Sequence, residues 1–216
     1  DRLALIDEQG RYVGEEYTLA LSALAILSGR KRDSREADVL VTNLSTSRML
    51  EDVAARFGAR VLRTPVGEAN VVEVMKRENA IAGGEGNGGI IVPELQLGRD
   101  GIAAIALVLE FLALEGKTAH EINEELPRYT ILKTTHEFPR ERLPQLFQWL
   151  KVKEKGIETD ERDGVRFNFP DGSWAHVRGS GTEPIVRLIL EARTPEKAAQ
   201  IQKSFREEIE SLAGVW

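Results

Sequence analysis

Short apolar runs alternate with amphipathic stretches from residue 15 to about residue 126, and this alternation limits the fold more than any other feature of the sequence. Val39-Leu40-Val41, Arg60-Val61-Leu62, Ala80-Ile81-Ala82 and Ile90-Ile91-Val92 have the length and composition of short buried strands. Residues 15–28, 47–57, 71–78 and 101–115 carry helical patterns between and after them. Glu15 and Glu16 open the first helix, Gly29 and Gly58 stop the first two, and Asp100 precedes the last as an N-cap. Strands alternating with helices predict a mainly parallel, mixed sheet covered by helices on both faces, a three-layer α/β domain. Ahead of it, Leu3 to Ile6, the turn Asp7-Glu8-Gln9-Gly10 and Arg11 to Gly14 read as a short hairpin. Lys31 to Asp38 reads as a charged loop.

The pattern changes after Leu126-Pro127. Tyr129 to Thr135 is β-rich, Pro144 to Lys153 is helical, and Val165 to Phe169, Trp174 to Val177 and Ile185 to Glu191 read as strands. Thr194 caps a closing helix over 195–212. This order predicts a second, smaller α+β domain, with the boundary near residues 126–133.

The chain is long enough, at 216 residues, to bury a core in each part. Its net charge of −6 argues against a nucleic-acid partner, because phosphate-backbone binding needs a basic face. An acidic chain still has room for one small phosphate in a local basic pocket. With no cysteine, disulfide and thiolate chemistry are excluded. The longest apolar run, Ile102 to Leu114, is interrupted by Glu110 and is too short to span a bilayer. These features fit a cytoplasmic protein without a membrane partner. A start at Asp1 instead of Met suggests a fragment or a processed product.

Two segments concentrate polar groups on glycine-rich backbone. The first, Arg178-Gly179-Ser180-Gly181-Thr182-Glu183-Pro184, offers a guanidinium fork, two hydroxyls and close access to the main chain, which is the chemistry of an anion loop. Arg187 follows in the next apolar run. The same residues also describe a decorated turn between strands. The second, Gly83 to Gly89, places Glu85 and Asn87 among five glycines after a strand. A carboxylate and a carboxamide together match the vicinal hydroxyls of a sugar; the alternative is a flexible connection. His120, His136 and His176 show no metal-ligand spacing, although His176 shares a strand face with Arg178. Trp149, Trp174 and Trp216 read as packing or terminal residues, and Lys151 to Lys155 as a solvated face.

Several motifs occur in one order: Asp1-Arg2, Thr46-Ser47-Arg48, Arg63-Thr64-Pro65-Val66-Gly67, Gly84 to Gly89, Gly98-Arg99-Asp100-Gly101 and Arg178 to Pro184. In this the chain resembles the C-terminal half of the α-D-phosphohexomutases, the phosphoglucomutases, phosphomannomutases and phosphoglucosamine mutases. The resemblance implies four domains in the complete enzyme. Residues 1–15 would be the tail of a metal-binding second domain, residues 16–126 the sugar-binding third domain and residues 134–216 the phosphate-binding fourth. It implies that Glu85 and Asn87 hold sugar hydroxyls and that Arg178, Ser180, Gly181, Thr182 and Arg187 cradle the substrate phosphate. By the same resemblance Asp1 is the last aspartate of a Mg²⁺ loop, and Arg2 after it is the candidate catalytic residue. The implied activity is that of an isomerase, an intramolecular phosphotransferase that interconverts hexose or hexosamine 6-phosphate and 1-phosphate through a phosphoserine and a bisphosphate.

The chain departs from the family pattern in four ways. It has no phosphoserine motif, it holds one of the three metal-loop aspartates, and Leu44-Ser45 and Glu68 stand where some members have a Lys and a His. One carboxylate is a poor site for a hard cation. The general base is therefore unassigned, and the isolated chain is expected to be inactive without the N-terminal domains as partners. A non-catalytic sugar-phosphate-binding module and a purely structural interaction domain are the alternatives.

Overall fold

The computed structural model describes residues 1–30 and 37–214, and the chain divides into two compact units, Asp1–Arg128 and Tyr129–Trp216. The charged loop expected from Lys31 to Asp38 falls largely outside the described residues, as does Trp216.

The first unit runs α1 (Glu15–Gly29), β1 (Val39–Asn43), α2 (Met49–Arg56), β2 (Arg60–Thr64), α3 (Glu68–Arg77), β3 (Ala82–Glu85), β4 (Gly89–Ile91), α4 (Gly101–Glu115) and α5 (Ala119–Glu125). Its sheet has the order β2-β1-β3-β4, with β1 parallel to both β2 and β3, and β4 antiparallel at the edge. Alternation along β1 divides the core. Val39 and Val41 pack with Val71 and Met75 of α3, while α1 lies beside α2 and α4 and contacts β3 and β4. This is the expected three-layer arrangement. Asp100 caps α4 by accepting from the Ile102 and Ala103 amides, and Gly116 ends it at φ 64. The hairpin expected over residues 3–14 is reduced to one antiparallel bridge between Ile6 and Tyr12, flanked by the Asp7 amide donating to the Arg11 carbonyl and the Val13 amide to the Leu5 carbonyl, with Asp7 Oδ1 accepting from the Gln9 and Arg11 amides. The segment is too short and too polar to sustain a longer ladder, and the Asp7 side chain reinforces a turn that the backbone already closes.

Helix α5 is absent from the sequence expectation, although its start is written in the chain. Thr118 and Glu121 form a capping box in which each side chain accepts from the other residue's amide. The His120 amide donates to Glu8, which ties α5 to the turn at residues 7–10. Thr118→Ala is expected to cost the first unit about 1 kcal/mol. Circular dichroism during urea unfolding would show this as a lower midpoint.

The second unit runs β5 (Thr130–Glu137), a 3₁₀ turn (Arg140–Arg142), α6 (Leu143–Lys153), β6 (Glu158–Asp160), β7 (Val165–Asn168), β8 (Trp174–Gly179), β9 (Ile185–Ala192) and α7 (Pro195–Ala213). The strands form one antiparallel sheet in the order β5-β9-β8-β7-β6. The short β6 is an addition to the expected elements. Phe167, Ala175, Val177 and Leu188 face the core shared with α6 and α7, where Phe167 and Phe205 meet edge to face at 5.3 Å. Strand alternation therefore sends Trp174, His176 and Arg178 to the other face of β8. Trp174 and His176 are nonetheless fully buried there, whereas Trp149 on α6 is exposed.

Among the described residues no helix is long and apolar enough to cross a membrane.

Candidate functional site

In the first unit the polar motifs converge at the carboxyl ends of the parallel strands, where β1 ends in Asn43, β2 in Thr64 and β3 in Glu85. Ligand sites in open α/β sheets form at this edge, because the connections there leave a crevice. Gly83, Gly84 and Glu85 lie within β3, and Gly89 starts β4, so most of the glycine-rich segment is strand and not the flexible connection that was one alternative. The glycines allow close packing: a Cβ on Gly83 would lie 2.9 Å from the Val41 carbonyl oxygen, and one on Gly86 would overlap the Glu16 carboxylate.

Glu85 is 6% exposed, and its carboxylate is held by three donors. Oε1 accepts from Asn43 Nδ2 at 2.7 Å and from the Gly67 amide at 3.1 Å, and Oε2 accepts from Asn87 Nδ2 at 3.3 Å. Asn87 is pinned in turn, since its Oδ1 accepts from the Gly89 amide. Thr46 Oγ1 accepts from the Gly86 amide, and Glu16 Oε2 from the Ser47 amide. Arg63 binds the Asn43 and Thr46 carbonyls and pairs with Glu51. Three separated motifs thus hold one carboxylate and one carboxamide in place. Asn43 was missed from sequence; its signal was a carboxamide ending an otherwise apolar strand.

Near the chain start, Arg99 pairs with Glu68 at 2.8 Å and with Asp1 at 3.1 Å. Glu68 Oε1 also accepts from the Arg99 amide. The Arg2 side chain is exposed and makes no hydrogen bond among the described residues. Arg99, read from sequence only as part of a motif, is the residue that organises these charges.

In the second unit Arg178 lies at the end of β8, directly opposite Arg187 on β9. Two cations in register repel each other unless an anion or a counter-charge intervenes. Arg178 Nε donates to Asp163 Oδ2 at 3.0 Å, while among the described residues Arg187 pairs only with Glu183, at 3.9 Å. The connection over residues 180–184 is held from within and from outside. Ser180 is buried, and its Oγ accepts from the Thr182 and Glu183 amides, each at 3.3 Å. Arg140 reaches over to the Ser180 and Gly181 carbonyls. Gly181 and Thr182 are exposed at the tip. Among the described residues neither the Arg178 Nη groups nor the Gly181 amide donates a hydrogen bond. Exposed donors beside a cation are what an oxyanion ligand requires. Neither Asp163 nor Arg140 was found from sequence; the Asp163-Gly164 turn dipeptide was a visible signal, and Arg140 left none.

Of the histidines, His176 is fully buried and His136 only partly so. His176 Nε2 donates to the Asp163 carbonyl at 2.6 Å, and burial, with Arg166 and Arg178 nearby, pushes its pKa down to about 4. Burial lowers the His136 pKa as well.

Residues 15–129 match the pattern for "Phosphoglucomutase/phosphomannomutase, alpha/beta/alpha domain III", and residues 138–208 match the C-terminal domain of the same family. The chain belongs to the phosphoglucomutase/phosphomannomutase family. It is 40% identical over 201 residues to the phosphoglucomutase/phosphomannomutase of Thermococcus kodakarensis, an alignment covering 93% of this chain and 43% of that protein. It is 34% identical over 209 residues to the phosphoglucosamine mutase of Methanococcus maripaludis, covering 94% and 45%. The phosphoglucomutase/phosphomannomutase family protein of Burkholderia thailandensis shares its fold with a TM-score of 0.82 at 23% identity, covering 99% of this chain and 45% of that one. The phosphoglucomutase (parafusin) of Paramecium gives a TM-score of 0.74 at 23% identity, covering 97% and 43%. The chain therefore spans less than half the length of the relatives it matches.

The residues present do not by themselves make a Mg²⁺ site. Asp1 is engaged with Arg99, and among the described residues no group of three or more His, Cys, Asp or Glu side chains gathers around a common point. A hard cation with several oxygen ligands cannot be held by Asp1 alone.

Proposed function

We propose that this member of the phosphohexomutase family supplies the sugar-binding and phosphate-binding half of an enzyme that interconverts hexose or hexosamine 6-phosphate and 1-phosphate through a phosphoserine and a bisphosphate. Residues 1–15 close the metal-binding domain, residues 16–126 form the sugar-binding domain and residues 134–216 the phosphate-binding domain. Glu85 and Asn87 take the sugar hydroxyls, and either orientation of the ring meets one acceptor and one donor. Arg178, Ser180, Gly181, Thr182 and Arg187 hold the phosphate that is not being transferred. Arg2 faces the transferring end, and Asp1 contributes one oxygen to a Mg²⁺ whose other ligands lie outside this chain. The enzyme works in the cytoplasm, and neither nucleic acid nor membrane is a partner.

The observation that carries the reading is the register of Arg178 against Arg187 beside the exposed loop tip, an arrangement that an anion stabilises. Phosphoryl transfer depends on positioning and charge neutralisation, so a rigid Glu85 and a fixed guanidinium are the contributions such a half can make.

The test is a calorimetric titration of the 216-residue chain with glucose 6-phosphate, glucosamine 6-phosphate and mannose 6-phosphate. Arg178→Ala is expected to weaken binding about 10- to 100-fold, the cost of one or two hydrogen bonds to a charged group. The order of the three sugars identifies the substrate class. Equal binding by the wild-type and Arg178→Ala chains would remove Arg178 from the site, and turnover by the chain alone would refute the incomplete-enzyme reading.

A further inference from the structure

Arg178 is held from the side opposite its terminal amino groups. Its Nε donates to Asp163 Oδ2, and both side chains are largely buried, at 21% and 19% exposure. Asp163 does not stand on a free loop. It belongs to the turn between β6 and β7, and two further contacts press that turn against β8. The Asp163 carbonyl accepts from His176 Nε2 at 2.6 Å. Gly164, at φ 70, lies so close to β8 that a Cβ there would be 2.8 Å from Arg178 Cα and would overlap the Val177 carbonyl. The carboxylate therefore has a fixed height above the strand that carries Arg178. The Nη groups, which donate to nothing among the described residues, are left as the reactive edge of the guanidinium.

We propose that Asp163 is a positioning residue for phosphate binding: its carboxylate, on a turn locked to β8 through Gly164 and His176, braces the Nε edge of Arg178 and presents the Nη edge to the ligand. This rests on the reading of Arg178 as a phosphate ligand. A guanidinium on a flexible stem loses rotamer freedom when it grips an anion, and a brace that restricts it beforehand removes part of that cost. The same carboxylate also puts a negative charge beside an anion site. Charge alone and positioning thus predict opposite effects of deleting it. Without Asp163 the local charge rises by one, and pure electrostatics tightens phosphate binding. If positioning dominates, binding weakens.

The experiment titrates inorganic phosphate and glucose 6-phosphate into the wild-type chain, Asp163→Ala, Asp163→Asn, Arg178→Ala and the Asp163→Ala/Arg178→Ala double variant. Tryptophan fluorescence in urea checks that each variant is folded. Asp163→Ala is expected to weaken binding about tenfold, equivalent to one charge-assisted hydrogen bond. Asp163→Asn keeps an oxygen acceptor for Nε and is expected to stay within about threefold of wild type. In the Arg178→Ala background, Asp163→Ala should have no further effect, because the two residues act as one unit. Asp163→Ala binding as tightly as wild type, or more tightly, would overturn the proposal. So would an equal weakening in the Arg178→Ala background, which would make Asp163 merely structural.

A second readout needs no ligand. In a ¹⁵N–¹H spectrum the Arg178 Nε–H, assigned as the peak missing from Arg178→Lys, is expected to exchange slowly with water in wild type and Asp163→Asn and rapidly in Asp163→Ala. A rapidly exchanging peak in wild type removes the brace while leaving the phosphate site intact. Absence of phosphate binding by the wild-type chain removes the site reading, and the positioning role with it.

Discussion

Alanine at Gly84 is expected to destabilise the first unit by about 3 kcal/mol or more and to abolish any sugar preference of the chain. Gly84 lies inside β3, opposite Ile90 of β4. A methyl group there would overlap the Gly89 carbonyl oxygen and lie 2.7 Å from Leu19 Cδ1 of α1. The leucine can rotate away, but the carbonyl belongs to the paired strand and can move only if the ladder opens. Because Glu85 and Gly89 are the next pair in register, opening the ladder also displaces the carboxylate and the amide that pins Asn87. Urea unfolding followed by circular dichroism measures the stability, with Gly181→Ala as the control. Gly181 stands in open space at a φ that any residue adopts. A Gly84→Ala midpoint equal to that of the control would show that β3 and β4 do not pair as described.

The second unit should lose stability as pH falls from 6.5 to 4, by about 3 kcal/mol, on account of His176 alone. Folded, the imidazole is fully buried with its pKa pushed down to about 4, and unfolded it returns to about 6.5. Between those values the unfolded chain takes up a proton that the folded chain refuses, so the equilibrium shifts toward unfolding as acid is added. Above pH 6.5 both states are neutral and this contribution is flat. All three tryptophans, Trp149, Trp174 and Trp216, lie beyond residue 128, so fluorescence reports on the second unit without interference. Comparison with His176→Gln isolates the effect, since His136, whose pKa is also lowered, titrates in both proteins. An identical pH dependence in the two proteins would mean that His176 is accessible to protons in the folded state.

Glu68 shows how position and role can part. The family resemblance implied for it a position where some members have a histidine, yet here both of its oxygens accept from Arg99. The sequence left the general base unassigned. The tertiary structure shows the carboxylate serving as an anchor for the Gly98-Arg99-Asp100-Gly101 segment.

By itself the sequence determined the two-part organisation and the α/β and α+β classes, and it singled out the two glycine-rich polar segments. Each of these rests on local rules: apolar periodicity distinguishes strand from helix, caps such as Asp100 and Thr194 set helix starts, and glycine-rich polar segments mark where backbone must come close to something else. The tertiary structure decided what that something is. The glycines at 83–89 read also as a flexible connection until the pairing of β3 with β4 and the packing against Glu16 and Leu19 placed most of them in a paired ribbon. Asn43, Asp163 and Arg140 join the site only because strands and turns distant in sequence are brought together, and no local pattern encodes a partner about 15 to 40 residues away. His176 shared its strand face with Arg178 as the two-residue repeat requires. Its full burial, and hence its neutral state, follows from how the other elements cover that face, which a strand's own sequence does not specify.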